Sequence, residues 1–378
     1  MAEFIMVGCD LHDQTMVLKV AVGRGSAETV SVRNTRSGRS RLIADLRERS
    51  RLAGGGRVIF VYEASGQGFG LHDELTDAGI ECHVLAPTKI ARSRQQKRAK
   101  TDEKDAEQLL QLLRAHVLAG NALPSVWIPD PQTRDDREAV RARLDAAEKV
   151  AAVKAQIQGL LKRHRQVPSE GVKGRWSKSY GAWLRALATD PTQGRGMRAT
   201  LGSLLRQLAF LEEEIGRLEE ALEELAGSPR YAGAIRELLK LQGVGLLTAL
   251  VFLSEVGDLR RFANRRQISA YLGLVPRSYE SGAQQDRKGH ITRQGPSRVR
   301  RVLCQAAWSR IPADRVDHAA YQRIATKNPK HKKIAVVAMM RRLAVQMWHR
   351  GQQAPPEQAP PEAKPSGACR RTVATAPV

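Results

Sequence analysis

Aromatic residues are scarce: Phe, Trp and Tyr together make up 4% of the 378 residues. Base recognition mainly by stacking on aromatic platforms is therefore not expected. Cysteine is scarce too. Cys9, Cys82, Cys304 and Cys369 are scattered and form no CxxC pair. That excludes a disulfide framework and the usual zinc-site spacing, and it suits a reducing, cytoplasmic setting. No stretch approaches the ~20 apolar residues a membrane-spanning helix needs, so no membrane partner is expected. The opening MAEFIMVGCDLHD is an apolar run broken by Asp10, with neither the basic start nor the cleavage site of a secretory signal. Acids are the remaining shortage: 39 Asp and Glu face 62 Lys and Arg, a net charge of +23.

Such a surface attracts polyanions, and nucleic acid is the commonest polyanion a soluble protein meets. Of the basic residues 45 are Arg, which favours bidentate contacts to phosphate and guanine over point charge alone. The charge is uneven. From Gly257 to Arg350 there are 21 Lys and Arg against five acids. A second run, PTKIARSRQQKRAKT (87–101), has six basic residues and no acid, and its Arg92, Arg94, Lys97, Arg98 and Lys100 are candidate backbone contacts. At 42% hydrophobic the chain can bury real cores, and its length suits two or three domains of roughly 150 residues.

Residues 1–125 read as an α/β unit. IMVGCD (5–10), TMVLKVAV (15–22) and AETVSV (27–32) predict an antiparallel meander, with LHDQ as a turn-like gap. Helical spacing over 38–52 leads to GGGRVIFVYE (54–63), a Gly-rich turn into a strand buried on both faces. A helix near 68–78, a strand IECHVL (80–85) and a helix from about 102 follow. The order βββαβαβα is that of the ribonuclease-H-like fold. Residues 126–230 predict long helices. Leu201, Leu204, Leu208, Leu211, Ile215, Leu218, Leu222 and Leu225 form a strict heptad seam with Glu on the outer positions. A coiled-coil contact with a second copy, giving a dimer or tetramer, is the preferred partner. The alternative is a hairpin against 134–165 of the same chain. Residues 231–350 form a basic, mostly helical region, whose Val336, Met340, Leu343 and Met347 read as core. Residues 351–378, with six prolines and no periodicity, predict a disordered tail.

Three constellations carry chemistry. Asp10 ends the first strand, Glu63 ends the buried strand VIFVY, and Asp102 and Asp105 share one helix face. In the expected fold these four carboxylates converge, offering the hard oxygen ligands that Mg²⁺ takes. Two such ions would serve phosphodiester transfer. Taken singly, Asp10 reads equally as a turn residue, and Asp102 and Asp105 as helix-start acids. Second, LQGVGLLTALVFLSEVGDLRRF (241–262) resembles a helix-hairpin-helix, in which Gly243 and Gly245 would let the backbone approach a phosphate. A plain helix–helix turn is the alternative. Third, Ser281 precedes Gly282 in a polar loop. Around it lie Arg265, Arg266, Arg287, Lys288, Arg293, Arg298, Arg300 and Arg301. From the residues alone, its hydroxyl reads as a phosphate contact, because no base stands at an evident spacing.

Several motifs occur in order: VGCDLHDQTMVLKV, VYEASG, KTDEKDAEQLLQLLR, LQGVGLLTA, SEVGDLRRFANRRQISAYLGLVP, SYESG and GHITRQGPSRVRRVL. Together they resemble the insertion-sequence "one-ten" family of DEDD transposases, bridge-RNA-guided recombinases. The resemblance spans roughly 5–115 and 235–310, with the heptad region matching the family's coiled coil. It implies a RuvC-like domain whose Mg²⁺-binding acids are Asp10, Glu63, Asp102 and Asp105. It also implies a transposase domain whose nucleophile is Ser281. The family pattern often has two serines before this glycine; here Glu280 takes the first place and another serine stands at Ser278. It further implies a composite site, acids of one protomer with the serine of another, and a structured guide RNA specifying target and donor double-stranded DNA. Such a bacterial protein would associate with the nucleoid when bound to DNA. The competing expectations are a RuvC-like nuclease in which water attacks, and a non-catalytic RNA- and DNA-binding scaffold.

Overall fold

A computed structural model of the chain, described over residues 3–90, 101–168, 170–278 and 288–353, divides into two compact units, Met1–Pro129 and Asp130–Val378. The first unit has the predicted element order. Strands β1 (Ile5–Leu11), β2 (Thr15–Val22) and β3 (Glu28–Arg33) precede helix α1 (Arg36–Leu52), β4 (Val58–Glu63), α2 (Gly70–Asp77), β5 (Glu81–Leu85) and α3 (Asp102–Ala119). The five strands form one mixed sheet in the order β3-β2-β1-β4-β5. β1 is antiparallel to β2 and parallel to β4, and β4 is parallel to β5. This arrangement is consistent with a ribonuclease-H-like domain.

Alternation along the central strands sorts their side chains between two cores. Ile5, Val7 and Cys9 of β1 and Val58, Phe60 and Tyr62 of β4 pack with Leu42 and Leu46 of α1 and Leu71 and Leu75 of α2. Met6 of β1 and Ile59 and Val61 of β4 face the other way, onto Leu109, Leu110 and Leu113 of α3. Both faces are covered, which is why β1 and β4 read as unbroken apolar runs.

The second unit is almost entirely helical: α4 (Pro131–Arg163), α5 (Lys178–Thr189), α6 (Arg195–Gly227), α7 (Pro229–Leu239), α8 (Leu246–Val256) and α9 (Arg265–Tyr271), then a hairpin of β6 (Pro276–Ser278) and β7 (Lys288–Ile291), then α10 (Ser297–Ala313), α11 (Arg315–Lys327) and α12 (Lys333–Gln352). Both ends of the heptad seam of α6 pack on α4 of the same chain, the hairpin given above as the alternative, while Leu211, Ile215 and Leu218 between them stay half-buried. Val140 and Leu144 near the start of α4 cluster with Leu222 and Ala226 at the end of α6. Val153, Ile157 and Leu160 cluster with Leu201, Leu204 and Leu208 at its start. The two helices are therefore antiparallel, and Arg143–Glu219 (2.5 Å) and Lys154–Glu212 (3.2 Å) pair across them. The physical reason is that α4 has its own apolar stripe and is tethered to α6 through the segment that carries α5, so it meets the seam at high effective concentration.

The basic region and this hairpin share a core: Val140, Leu144, Leu222 and Ala226 pack with residues of α7, α8, α10 and α12. Val336, Met340, Leu343 and Met347 of α12 are buried in it, as their spacing predicts. Among the described residues, no helix is long and apolar enough to cross a membrane.

Candidate functional site

The site is built where β1 ends. The last parallel pairing of β1 with β4 is Cys9 with Tyr62, so Asp10 and Glu63 are the next residues on neighbouring strands. Cys9 and Tyr62 belong to the core under α1 and α2. Alternation therefore sends Asp10 and Glu63 to the opposite face, the one covered by α3. Helix α3 approaches that face closely because residue 8 is glycine. A Cβ there would stand 2.4 Å from both the Ala106 carbonyl oxygen and the Leu110 nitrogen.

Helix α3 opens with Asp102, Glu103 and Asp105 in its first turn, but its cap is Thr101, whose Oγ1 accepts from the Lys104 nitrogen at 3.4 Å. The acids are thus not needed as caps. Asp105 is buried, at 9% exposure, whereas Asp102 is exposed. Asp10 and Asp102 are joined through His12, a residue whose polar surroundings in the sequence predict a turn. His12 Nε2 lies 3.1 Å from Asp10 Oδ2 and 3.4 Å from Asp102 Oδ1. One donor atom from each of the three residues falls within 4.8 Å of the others. The available signal for His12 is its place two residues after a strand-terminal Asp, which on an extended chain gives the same face.

The backbone at His12 is held. Its N–H donates to the Thr15 carbonyl (2.9 Å), and its own carbonyl accepts from Asn34 Nδ2 (2.8 Å). Arg39 donates to Asn34 Oδ1 (2.8 Å) and pairs bidentately with Glu74 (2.6 and 2.8 Å). Burial pushes the Asp10 carboxyl above its ordinary range; His12 opposes this, and the negative charges of Asp105 and Asp102 reinforce it. A half-buried carboxylate crowded by like charges and bordered by an imidazole fits a divalent cation: the donors are hard oxygens and one nitrogen, and a cation relieves the repulsion. Glu63 is half-buried at the end of β4.

The second unit places the basic candidates in distinct environments. Arg265, Arg266 and Arg293 are exposed. Arg298 pairs with Asp145 of α4 at 3.0 Å, and Arg301 with Glu148. Arg300 Nη1 donates to the carbonyls of Leu272 (3.2 Å), Gln294 (2.9 Å) and Gly295 (3.1 Å), tying together the two chain segments at the base of the β6–β7 hairpin. Nη1 is thus engaged by the protein backbone. Gly243 has φ +81°, and a Cβ on it would lie 2.7 Å from the Ala306 carbonyl and 2.9 Å from Arg310 Cβ. Its lack of a side chain admits α10 at close range. Gly245, by contrast, opens onto space at the N-terminus of α8. Ser281, Arg287, Arg92, Arg94, Lys97, Arg98 and Lys100 lie outside the described residues, and Lys288 is described only as a backbone position in β7.

Comparison with known proteins gives two family matches. Residues 7–165 match a DEDD transposase model of the IS110 type, and residues 235–322 match the transposase IS116/IS110/IS902 family. The chain is similar to the putative transposase y4qE of Sinorhizobium fredii, 32% identical over 75% of this chain and 66% of the relative. The putative transposase y4rJ of the same organism is 30% identical over 77% of this chain and 76% of the relative. The transposase of insertion sequence element IS1111A from Coxiella burnetii is 27% identical over 65% and 64%.

Proposed function

Because the chain belongs to the IS116/IS110/IS902 family of transposases, we propose that it cuts and rejoins the DNA of its own mobile element, with Ser281 as nucleophile beside a metal held by Asp10, Glu63, Asp102 and Asp105. The observation that carries this reading is the meeting of Asp10 and Asp102 at His12, with Asp105 buried on the same helix and Glu63 next to Asp10 in the sheet.

Mg²⁺ bound there, as one ion or two, would draw charge from the scissile phosphate and steady the departing oxygen. The chain's residues supply the rest. Asp10 and Glu63 present oxygens from rigid strands, and Asp102 and Asp105 present theirs from the first turn of α3. The Ser281 Oγ attacks phosphorus: an Oγ–P bond forms, one P–O ester bond breaks, the hydroxyl proton leaves, and the departing sugar oxygen takes up a proton. One ester replaces another, so the linkage is reversible without a co-reactant. Attack by a sugar hydroxyl of a second DNA end then releases Ser281 and completes the exchange.

Phosphate neutralisation falls to the exposed cations Arg265, Arg266 and Arg293, with Arg287, Lys288 and the 92–100 run. Gly245 offers open backbone to a phosphate at the N-terminus of α8. Our reading includes a structured guide RNA that selects target and donor DNA; the large Arg excess and net charge of +23 support a second polyanion besides DNA. It also includes a homo-oligomer in which the acids of one copy act with the serine of another.

The test is a recombination assay in cells with Asp10→Ala and Ser281→Ala, paired with sequencing of RNA that co-purifies with the protein. Both variants should lose recombination while retaining RNA. Normal recombination by Ser281→Ala removes the serine from the mechanism, and release of hydrolysed DNA ends assigns the attack to water.

A further inference from the structure

We infer that His12 is itself a metal ligand, so that the site takes one imidazole nitrogen among its carboxylate oxygens and prefers Mn²⁺ over Mg²⁺. This inference rests on the metal-bound reading of the acids given above and adds to it a residue that no DEDD position names.

The geometry is that of neighbouring ligands on one ion. In an octahedral site with metal–ligand distances of about 2.1 Å, adjacent ligand atoms stand about 3.0 Å apart and opposite ones about 4.2 Å. His12 Nε2 lies 3.1 Å from Asp10 Oδ2 and 3.4 Å from Asp102 Oδ1. All three donor atoms fall within 4.8 Å of one another. A small rotation of the exposed Asp102 side chain closes the set around a common centre. Asp10 lies in β1 and His12 one residue past its end, so two-residue spacing along the extended chain presents both on one face.

The backbone that carries the imidazole is also held. The His12 backbone is pinned on both sides, by the Thr15 carbonyl and by Asn34 Nδ2; Asn34 is in turn held by Arg39, which pairs with Glu74. Fixing the backbone limits where the imidazole can reach and keeps it beside the two carboxylates. The consequence for selectivity follows from ligand type. Mg²⁺ is the harder ion, takes oxygen donors and gives up its waters reluctantly, whereas Mn²⁺, a transition-metal ion, exchanges a water for an imidazole nitrogen more readily.

The experiment uses the full chain, with Mn²⁺ and Mg²⁺ titrated calorimetrically into wild type, His12→Gln and Asp10→Asn. Pulsed electron paramagnetic resonance of the Mn²⁺-loaded forms is recorded alongside. The expected result is a nitrogen coupling to Mn²⁺ in wild type that disappears in His12→Gln. Mn²⁺ affinity should fall about tenfold or more in that variant, with a smaller change for Mg²⁺. An imidazole that merely hydrogen-bonds Asp10 and stands beside Asp102 has the same distances but gives no such coupling. Mn²⁺ binding that Asp10→Asn abolishes, with no nitrogen coupling in wild type, overturns the His12 assignment and leaves the acid site standing. Binding of neither ion to wild type overturns both.

Discussion

Gly8 and Leu110 are in backbone contact: a Cβ on Gly8 would stand 2.4 Å from the Leu110 nitrogen and 2.9 Å from its Cα. Strand β1, which carries Asp10 near its end and leads into His12, is thereby laid directly against the helix that carries Asp102 and Asp105. The spacing of the candidate site is set by the one β1 residue that has no side chain.

Gly8→Ala should therefore act on fold and site together. Forcing a methyl into this space should cost about 1–3 kcal/mol, and Gly8→Val should cost more. A thermal melt would report the loss of stability. Titration with Mn²⁺ should show weakened binding even though no ligand has been changed.

The Asp10 carboxyl gives a pH signature in protein stripped of metal by a chelator. Its folded-state pKa is raised, mainly by burial, so the native chain binds the proton more tightly than the unfolded chain. Its contribution to stability is complete below the unfolded Asp pKa of about 3.9 and is lost as pH rises through the folded value. Asp10→Asn should thus raise the melting temperature of the metal-free protein at pH 7, with the gain vanishing near pH 4. Added divalent ion should stabilise wild type, which gains RT ln(1 + [L]/Kd) from binding, and not the variant.

Arg300 and the exposed Arg265 and Arg266 separate by salt dependence. Removing the guanidinium in Arg300→Ala leaves three carbonyls without their donor and should destabilise the second unit by about 1.5–3 kcal/mol. The slope of log K for DNA against log salt should stay at its wild-type value. Arg265→Ala and Arg266→Ala should leave the melt unchanged and reduce that slope by roughly 0.9 for each phosphate that the variant no longer neutralises.

The two glycines of the GVG turn should part in the same way. Gly243→Ala meets α10 and a positive φ and should cost about 1–3 kcal/mol in stability. Gly245→Ala meets nothing within 4 Å and should melt like wild type, so any effect it has will appear in DNA binding alone.

What is legible in the sequence follows from what each residue senses locally. The strands of the first unit are β-branched runs buried on both faces, and the acids stand at their ends or at a helix start, so periodicity and position suffice. His12 is harder to place: LHDQ is polar and predicts a turn, although His12 sits one residue past the end of β1 and keeps the strand's alternation. The heptad seam of α6 is visible, but its partner is not: a stripe of Leu records that something covers it and carries no label for which helix does. Nor does the sequence show that Ala306 fills the space beside Gly243, or that Arg300 Nη1 reaches three carbonyls.

The central claim is that DNA is joined to the protein through Ser281 while the acid cluster holds its metal. The direct measurement is denaturing electrophoresis of the full chain after incubation with labelled element-end DNA, its co-purified RNA and Mg²⁺. A covalent protein–DNA species should form with wild type and be absent with Ser281→Ala, with Asp10→Asn and with chelator. Recombined or cleaved product without such a species, or an adduct that persists in Ser281→Ala, contradicts it.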